Sequence, residues 1–158
     1  MPIFIAVGGI SGIGKTTIIN ELLSRYSIFL TPQAFTSREQ RVDEVGSYLY
    51  SSKDKMKSMF EEGALLNIHE GYGNYYGILT KSYLDIIENK KIPIRDIHPL
   101  HFDSLSSKIN NLITVYIHNK TSSTSSIPYS DRKDRFEDDG NWENQFKFDI
   151  IINNQTVD

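Results

Sequence analysis

The sequence predicts an α/β fold built around a parallel sheet, and three observations indicate it. Residues 3–7, I-F-I-A-V, form a continuous apolar run rich in β-branched residues, and residues 112–117 and 148–152 are two further largely apolar segments that are expected as buried strands. Runs of this kind are typical of strands that are buried on both faces. Segments with apolar residues at helical spacing, 16–26 and 80–89, lie between them, and alternating strands and helices favour parallel pairing.

Shorter elements are expected between these segments. Ser52 is a suitable N-cap and Gly63 a suitable terminator for a helix between them, with Met56, Met59 and Phe60 facing inward. The other expected elements are a strand at 64–68, a turn at 71–74, a short strand at 92–94 that ends near residue 96, a helix at 98–109, a Ser/Thr-rich loop at 120–130 and a charged helix at 132–143.

Length, cysteine content and net charge exclude several kinds of site and partner for this protein. The 158 residues include no cysteine and carry a formal net charge of -3 at pH 7. This length suits one domain, and the lack of cysteine excludes disulfides, thiolate zinc sites and thiol nucleophiles. The charge balance favours neither a nucleic-acid nor a membrane partner. Residues 3–7 are too short to span a bilayer and lack signal-peptide flanks, so a cytoplasmic location is expected.

Residues 9–16, which read G-I-S-G-I-G-K-T, match the phosphate-binding pattern G-x-x-x-x-G-K-[ST]. Glycines let the backbone turn tightly and bring its N–H groups to phosphate oxygens, and the following helix adds its positive dipole end. Lys15 would reach the outer phosphates, and the Thr16 hydroxyl would ligate magnesium. The pattern predicts ATP and Mg²⁺ as cofactors, bound by Gly9, Ser11, Gly12, Ile13, Gly14, Lys15, Thr16 and Thr17.

A second phosphate site is indicated by a polar segment further along the chain. Arg38 and Arg41 are three residues apart and can fork onto one phosphate, and nearby tyrosine hydroxyls can complete the site. Two surface arginines would be the simpler interpretation of this pair alone, so the wider pattern around them matters.

That wider pattern resembles the guanylate kinase family. Residues 36–41, T-S-R-E-Q-R, with Glu44, Gly46 and Tyr48, look like the family's signature T-[ST]-R-x-x-R-x-x-E followed by Gly and Tyr. Residues 73–77, G-N-Y-Y-G, look like its G-N-x-Y-G stretch, and Arg95 with Asp96 falls where the family has an acidic residue after a strand. Residues 148–153, F-D-I-I-I-N, are similar to its closing strand. The resemblance covers nearly the whole chain in the family's order.

The resemblance implies a P-loop NTPase three-layer fold with a parallel sheet, a small acceptor-binding subdomain and a short lid, all within one domain at residues 1–158. The core would comprise residues 1–33, 80–118 and 144–158, the acceptor-binding subdomain residues 34–79, and the lid residues 119–143, each within a few residues.

The resemblance also implies a nucleoside monophosphate kinase, in which ATP donates its γ-phosphoryl group to the 5′-phosphate of GMP. Lys15, together with Arg132 and Arg135 of the lid region, would contact the transferring group, although the two arginines also fit the solvated face of a charged helix. Asn153, in the closing strand, is expected among the ATP-binding residues. Four residues would hold the acceptor phosphate: Arg38, Arg41, Tyr48 and Tyr76.

Departures from the family concentrate at the base-binding positions. Asn67 stands where the family carries a Glu that accepts hydrogen bonds from guanine N1–H and its amino group, Ala34 replaces a Ser, and Ile78 replaces a small hydroxyl residue. An amide offers one acceptor and one donor group, so it cannot accept both guanine donors. We therefore hypothesise a base other than ordinary guanine, or one that is read loosely. The alternative is that Asn67 makes one hydrogen bond to guanine and Asp96 supplies the rest.

Two other function classes stay open at this point. One is a P-loop kinase for another phosphorylated metabolite, such as a sugar phosphate, and the other is a catalytically silent binding module. Lys15 and Thr16 favour an enzyme, and the absence of an N-K-x-D motif argues against a GTPase. His98 and His101 could hold a metal on a helix, but a solvated or capping role is favoured. The sequence leaves the base, the sugar and the oligomeric state open.

Overall fold

Two β-sheets organise the residues that the computed structural model describes, which are 2–10, 12–42, 46–118 and 146–154. In chain order the elements are β1 (Phe4–Gly9), α1 (Lys15–Arg25), β2 (Phe29–Leu30), β3 (Ala34–Thr36), β4 (Leu49–Tyr50), α2 (Lys53–Glu61), β5 (His69–Gly71), β6 (Asn74–Ile78), α3 (Thr80–Glu88), β7 (Ile92–Asp96), a 3-10 turn (Pro99–His101), α4 (Phe102–Ser106), β8 (Leu112–His118) and β9 (Ile150–Asn153).

The larger sheet has the strand order β2-β7-β1-β8-β9, and all its pairings are parallel. Helix α1 packs on one face through Ile19, while α3 and α4 pack on the other through Tyr83 and Leu105. This helix–sheet–helix arrangement confirms the predicted α/β three-layer fold. Because the strands are parallel, their carboxyl ends share one edge, where the phosphate loop follows β1 and Asp96 ends β7.

The smaller sheet has the order β4-β3-β6-β5 and is built from residues 34–78. Its β5–β6 hairpin turns at Tyr72 and Gly73, which both have positive φ, as a tight turn of this kind requires. The predicted helix after Ser52 is confirmed as α2, with the Ser52 side chain accepting a hydrogen bond from the Lys55 N–H at 3.2 Å. Met56 of α2 is fully buried.

Two expectations near α2 are wrong. Phe60 does not face inward, since 36% of it is exposed. Residues 64–68 do not form a strand and contribute only a bridge between Leu65 and Leu79. The Asn67 side chain explains this, because its Oδ1 accepts the Ile78 N–H at 3.1 Å, the group that a partner strand's carbonyl would otherwise bind.

Two further expectations need correction. The helix predicted at 98–109 is a 3-10 turn followed by the short helix α4, because Pro99 begins the turn and the His98 side chain caps it. The closing strand begins only at Ile150 and is not buried. It is the outermost strand of the larger sheet, and 48% of Ile150 and 52% of Ile151 are exposed.

Some expectations concern residues outside the described ranges. The loop at 120–130, the charged helix at 132–143 and the lid at 119–143 belong to this group. The division of the chain into core, acceptor-binding subdomain and lid therefore stays a prediction. Across the part of the chain that is described, no helix combines the length and apolar character needed to cross a membrane.

Gly77 tests the packing of the smaller sheet. A Cβ at this position would lie 2.7 Å from the Asn67 carbonyl oxygen and 2.9 Å from Leu65 Cδ1, so the backbone must shift to accept it. We expect Gly77→Ala to lower the free energy of unfolding by about 1–3 kcal/mol in urea denaturation. Gly71→Ala is the matched control, because its Cβ would meet nothing nearer than 3.7 Å. Equal stability of the two variants would contradict this packing.

Candidate functional site

A cavity of about 510 Å³ lies at the carboxyl edge of the larger sheet and is also lined by the smaller sheet. On the side of the larger sheet, the predicted site residues that line it are Gly9, Gly12, Gly14, Lys15, Thr16, Thr17 and Asp96. On the side of the smaller sheet and its connections, they are Ala34, Arg38, Arg41, Tyr48, Tyr76 and Ile78. The residues predicted for the two phosphate sites therefore line a single cavity.

The phosphate loop closes on its own lysine. The Lys15 ammonium group donates to the carbonyl oxygens of Gly9 and Ile10, each at 2.8 Å, which holds it over the loop. A contact from the residue that follows β9 supports the loop, because Asn154 Nδ2 donates to the Ile13 carbonyl at 3.0 Å. Ile13 is itself buried and packs in the core beneath the loop, so it would contribute only backbone groups to a ligand.

On the opposite side, aromatic rings and guanidinium groups pack together around Tyr48. The Arg38 guanidinium lies 5.3 Å from the centre of the Tyr48 ring, and the Tyr76 ring lies 5.9 Å away in an edge-on arrangement. Burial, and then the negative charge of Asp96, raises the pKa of Tyr48 to about 12. The phenol therefore keeps its proton at neutral pH and can serve as a hydrogen-bond donor in the cavity.

Arg95 is a site residue that sequence reasoning missed. It is only 4% exposed, and it donates to the carbonyl oxygens of Pro32 at 2.7 Å and Ser47 at 3.1 Å. Its guanidinium also lies 4.6 Å from the centre of the Tyr48 ring. These contacts join β7 to the segments that precede β3 and β4. The available signal was an arginine directly after the apolar run I-P-I and within the same strand, I-P-I-R-D.

The base-recognition positions divide into two groups. Ala34 and Ile78 are paired across β3 and β6, and both line the cavity, as does Asp96. Asn67 is 3% exposed and does not line the cavity. Its amide oxygen is bound to the Ile78 N–H, and its Nδ2 lies 3.4 Å from His69 Nδ1. A direct contact between Asn67 and a base, as expected from the resemblance, has no support in this geometry.

Three histidines form a stack beside the cavity. The His69 ring lies 3.8 Å from the His101 ring and 5.5 Å from the Tyr76 ring, both nearly parallel to it. His98 packs edge-on against Tyr72 and tilted against His101. His69, Tyr72 and His98 line the cavity in addition to Tyr76, and none of these three was predicted to do so. The sequence did contain a signal for them, because three of the chain's four histidines lie close to the turn cluster at 71–74 or just after the end of β7.

One of these histidines caps the 3-10 turn that follows β7. His98 Nδ1 accepts the Leu100 N–H at 3.3 Å, which confirms the capping role. Among the described residues, no group of three or more His, Asp or Glu side chains could hold a metal ion. Burial, with the neighbouring histidines, lowers the pKa of His69 to about 2 and that of His101 to about 4. Both rings are therefore neutral at neutral pH.

The remaining predicted residues lie away from the cavity or outside the described ranges. Asn153 is exposed in β9 and does not line the cavity, and the contact with the phosphate loop is made by Asn154. Ser11, Glu44, Arg132 and Arg135 lie outside the described residues. Their predicted roles stay predictions.

The fold and the loop together define the chain as an α/β P-loop protein, and comparisons with known proteins identify its family. The family profile described as guanylate kinase matches residues 2–158. The chain therefore belongs to the guanylate kinase family, and the resemblance drawn from its motifs is confirmed.

Individual relatives agree with this assignment. A guanylate kinase of Clostridium acetobutylicum is 38% identical over 97 residues, which cover 60% of this chain and 46% of the relative. A guanylate kinase of Trichormus variabilis is 28% identical over 115 residues, which cover 72% of this chain and 58% of the relative. The matches thus span about half the length of these curated relatives. The guanylate kinase structure from Anaplasma phagocytophilum superposes with a TM-score of 0.74 at 16% identity, covering 99% of this chain and 78% of that chain, and so supports the fold.

The histidine stack predicts how stability depends on pH. His69 and His101 have lower pKa values in the folded protein than the ordinary value of 6.5. Above pH 6.5 both are neutral in either state, and below it only the unfolded chain takes up their protons. The free energy of unfolding should therefore decrease as the pH is lowered below 6.5, by at most about 1.4 kcal/mol per pH unit for each histidine. Urea denaturation between pH 7 and pH 4.5 measures the slope.

The control is the double variant His69→Gln with His101→Gln, which retains polar side chains but binds no protons in this range. Its stability should depend less steeply on pH than that of the unmodified protein. Identical slopes for the two proteins would show that the histidines are not held neutral by the fold.

Proposed function

We propose that this protein transfers the γ-phosphoryl group of ATP to the 5′-phosphate of a nucleoside monophosphate. One observation carries the proposal: Lys15 of the phosphate loop and the pair Arg38 and Arg41 line the same cavity. Transfer between two phosphates requires two anions to approach each other in line, and cations on both sides offset their repulsion.

The residues around the loop fit a magnesium nucleotide. Lys15 and Thr16 both line the cavity at the start of α1, where backbone N–H groups and the helix dipole favour phosphate. Thr16 would hold Mg²⁺, which supplies charge neutralisation to the phosphates when bound. The loop residues Gly9, Gly12, Gly14 and Thr17 would surround the phosphate chain.

On the acceptor side, the chain's own residues bind and orient the second phosphate. Arg41 and Arg38 can offer paired N–H groups to a phosphate dianion, and Tyr48 and Tyr76 can add phenolic donors. The attacking phosphate oxygen is already anionic, so the reaction needs no general base of unusual pKa. Arg132 and Arg135 are proposed to approach the transferring group as closing residues of a lid, in the manner expected from the family.

We propose that the protein does not recognise the acceptor base in the way that a carboxylate recognises guanine, by accepting hydrogen bonds from its N1–H and amino group. The wall around Ala34 and Ile78 is apolar, His69 is neutral there, and Asp96 is the carboxylate among the lining residues described. GMP or dGMP is the acceptor suggested by the family, and another or a modified monophosphate is favoured by these changes. An enzyme that uses ATP and monophosphates is expected in the cytoplasm.

Lys15 provides the first test. ADP release is measured with ATP, Mg²⁺ and a panel of nucleoside monophosphates and sugar phosphates. At least one nucleoside monophosphate should support turnover, and Lys15→Met should lower kcat by about 100-fold or more, because it removes the charge at the transferring group. Lys81→Met is the control, since Lys81 is exposed on α3 and paired with Asp85.

Two outcomes would contradict the proposal in different ways. ATP binding without turnover on any acceptor would indicate a catalytically silent binding module. Turnover restricted to sugar phosphates would indicate a kinase for another phosphorylated metabolite.

Arg41 provides the second test, on the acceptor side of the cavity. Arg41→Gln should raise KM for the monophosphate by about tenfold or more while leaving KM for ATP unchanged, because it removes a charged contact to the acceptor phosphate only. Arg25→Gln is the control, because Arg25 is exposed at the end of α1 and paired with Glu21. An equal rise in KM for ATP and monophosphate would place Arg41 elsewhere.

A further inference from the structure

The amide group of Asn67 has a defined orientation inside the protein. Its Oδ1 lies 3.1 Å from the backbone nitrogen of Ile78, and a backbone N–H can only donate. The oxygen therefore faces Ile78, and the NH₂ group faces the other way. Because Asn67 is only 3% exposed, water has little access with which to exchange these contacts.

This orientation determines which nitrogen of His69 carries the proton. The Asn67 NH₂ group can only donate, and it lies 3.4 Å from His69 Nδ1, so that nitrogen accepts and is unprotonated. A neutral imidazole with an unprotonated Nδ1 carries its proton on Nε2. The contacts thus run from the Ile78 N–H through Asn67 to a His69 ring with an Nε2–H donor.

Packing leaves the Nε2 edge of His69 for the cavity. The His69 ring stacks with His101 and with Tyr76, and its Nδ1 edge faces Asn67, which does not line the cavity. His69 does line it. Among the described residues, the buried side-chain nitrogen that lacks a partner belongs to His101 and not to His69. Of the two ring nitrogens, Nδ1 is used by Asn67, which leaves the Nε2–H of His69 for a ligand in the cavity.

We propose that His69 determines base specificity by donating its Nε2–H to a carbonyl oxygen on the acceptor base, and that Asn67 is the positioning residue that holds this tautomer. The inference rests on the proposed function, since it concerns the acceptor side of that cavity. It implies a base that presents an oxo group rather than an amino group to His69. A donor facing an amino group would leave two hydrogens opposed, whereas an oxo group completes the bond.

The test measures binding of monophosphates by calorimetry, without ATP, in pairs that exchange an amino group for an oxo group. The pairs are the 5′-monophosphates of guanosine and xanthosine, of cytidine and uridine, and of adenosine and inosine. In at least one pair the oxo form should bind about fivefold or more tightly. Preference for the amino form in every pair, equal binding within every pair, or no binding of any of the six would overturn the inference.

Two ring variants separate the N–H donor from the ring stack. His69→Phe keeps an aromatic ring between His101 and Tyr76 but removes the donor, so it should abolish the oxo preference. His101→Phe keeps the stack and leaves His69 intact, and His101 does not line the cavity, so the preference should persist. An unchanged preference in His69→Phe would show that another group reads the base.

Nitrogen-15 NMR of the imidazole tests the positioning role directly, and its first measurement uses the unmodified protein. The unmodified protein should show His69 protonated on Nε2 alone, and a proton on Nδ1 would overturn the inference. In Asn67→Asp, one carboxylate oxygen can accept from Ile78 and the other from His69, so Nδ1 should gain a proton. A purely structural Asn67 would leave the His69 protonation pattern unchanged.

The two proposals fail separately. Preferential binding of oxo forms without phosphoryl transfer would remove the kinase function and retain the role of His69. Phosphoryl transfer with a base preference that is unchanged in His69→Phe would retain the kinase function and remove the role of His69.

Discussion

The buried guanidinium group of Arg95 is the interaction on which the arrangement of the cavity depends. Arg95 sits in β7, beside the strand that leads into the phosphate loop, yet its hydrogen bonds go to carbonyls of Pro32 and Ser47, next to the strands of the smaller sheet. A charge with 4% exposure is stable only when its donors are satisfied, so these bonds constrain where the second sheet lies relative to the first. Arg38 and Arg41 lie between β3 and β4 and line the same cavity as Lys15, so they belong to the part of the chain that this constraint affects.

The electrostatic character of the cavity follows from what surrounds each group. Cations from the phosphate loop and from the segment after β3 suit two phosphates, and a neutral, protonated Tyr48 adds a donor without adding charge. The wall near His69 contrasts with this, because stacked aromatic rings and burial keep its imidazole neutral. The positive charges of Lys15, Arg38 and Arg41 therefore line the cavity where phosphates are proposed to bind, whereas the proposed role of His69 depends on hydrogen-bond polarity and not on charge.

Local motifs in the sequence predicted the features that depend on local geometry. The phosphate loop, the Ser52 cap and the parallel core follow from residues a few positions apart, and the structure agrees. Long-range effects were missed. Asn67 turned inward because it satisfies Ile78, eleven residues away, and this also removed the strand expected at 64–68. Asn154, rather than Asn153, contacts the phosphate loop, although it is 141 residues away from Ile13 in the sequence. Strand β9 is exposed because the strand order places it at the sheet edge, and an apolar run does not reveal strand order.

The central claim is that one cavity binds both phosphate groups at once, with Lys15 and the arginine pair on opposite sides. A bridged dinucleotide, in which a polyphosphate joins adenosine to a second nucleoside, tests this most directly by calorimetric titration. If the two sites face each other, linking the ligands should give binding about tenfold or more tighter than ATP alone, and Arg41→Gln should remove much of that gain. Affinity equal to that of ATP, unaffected by Arg41→Gln, would contradict the account.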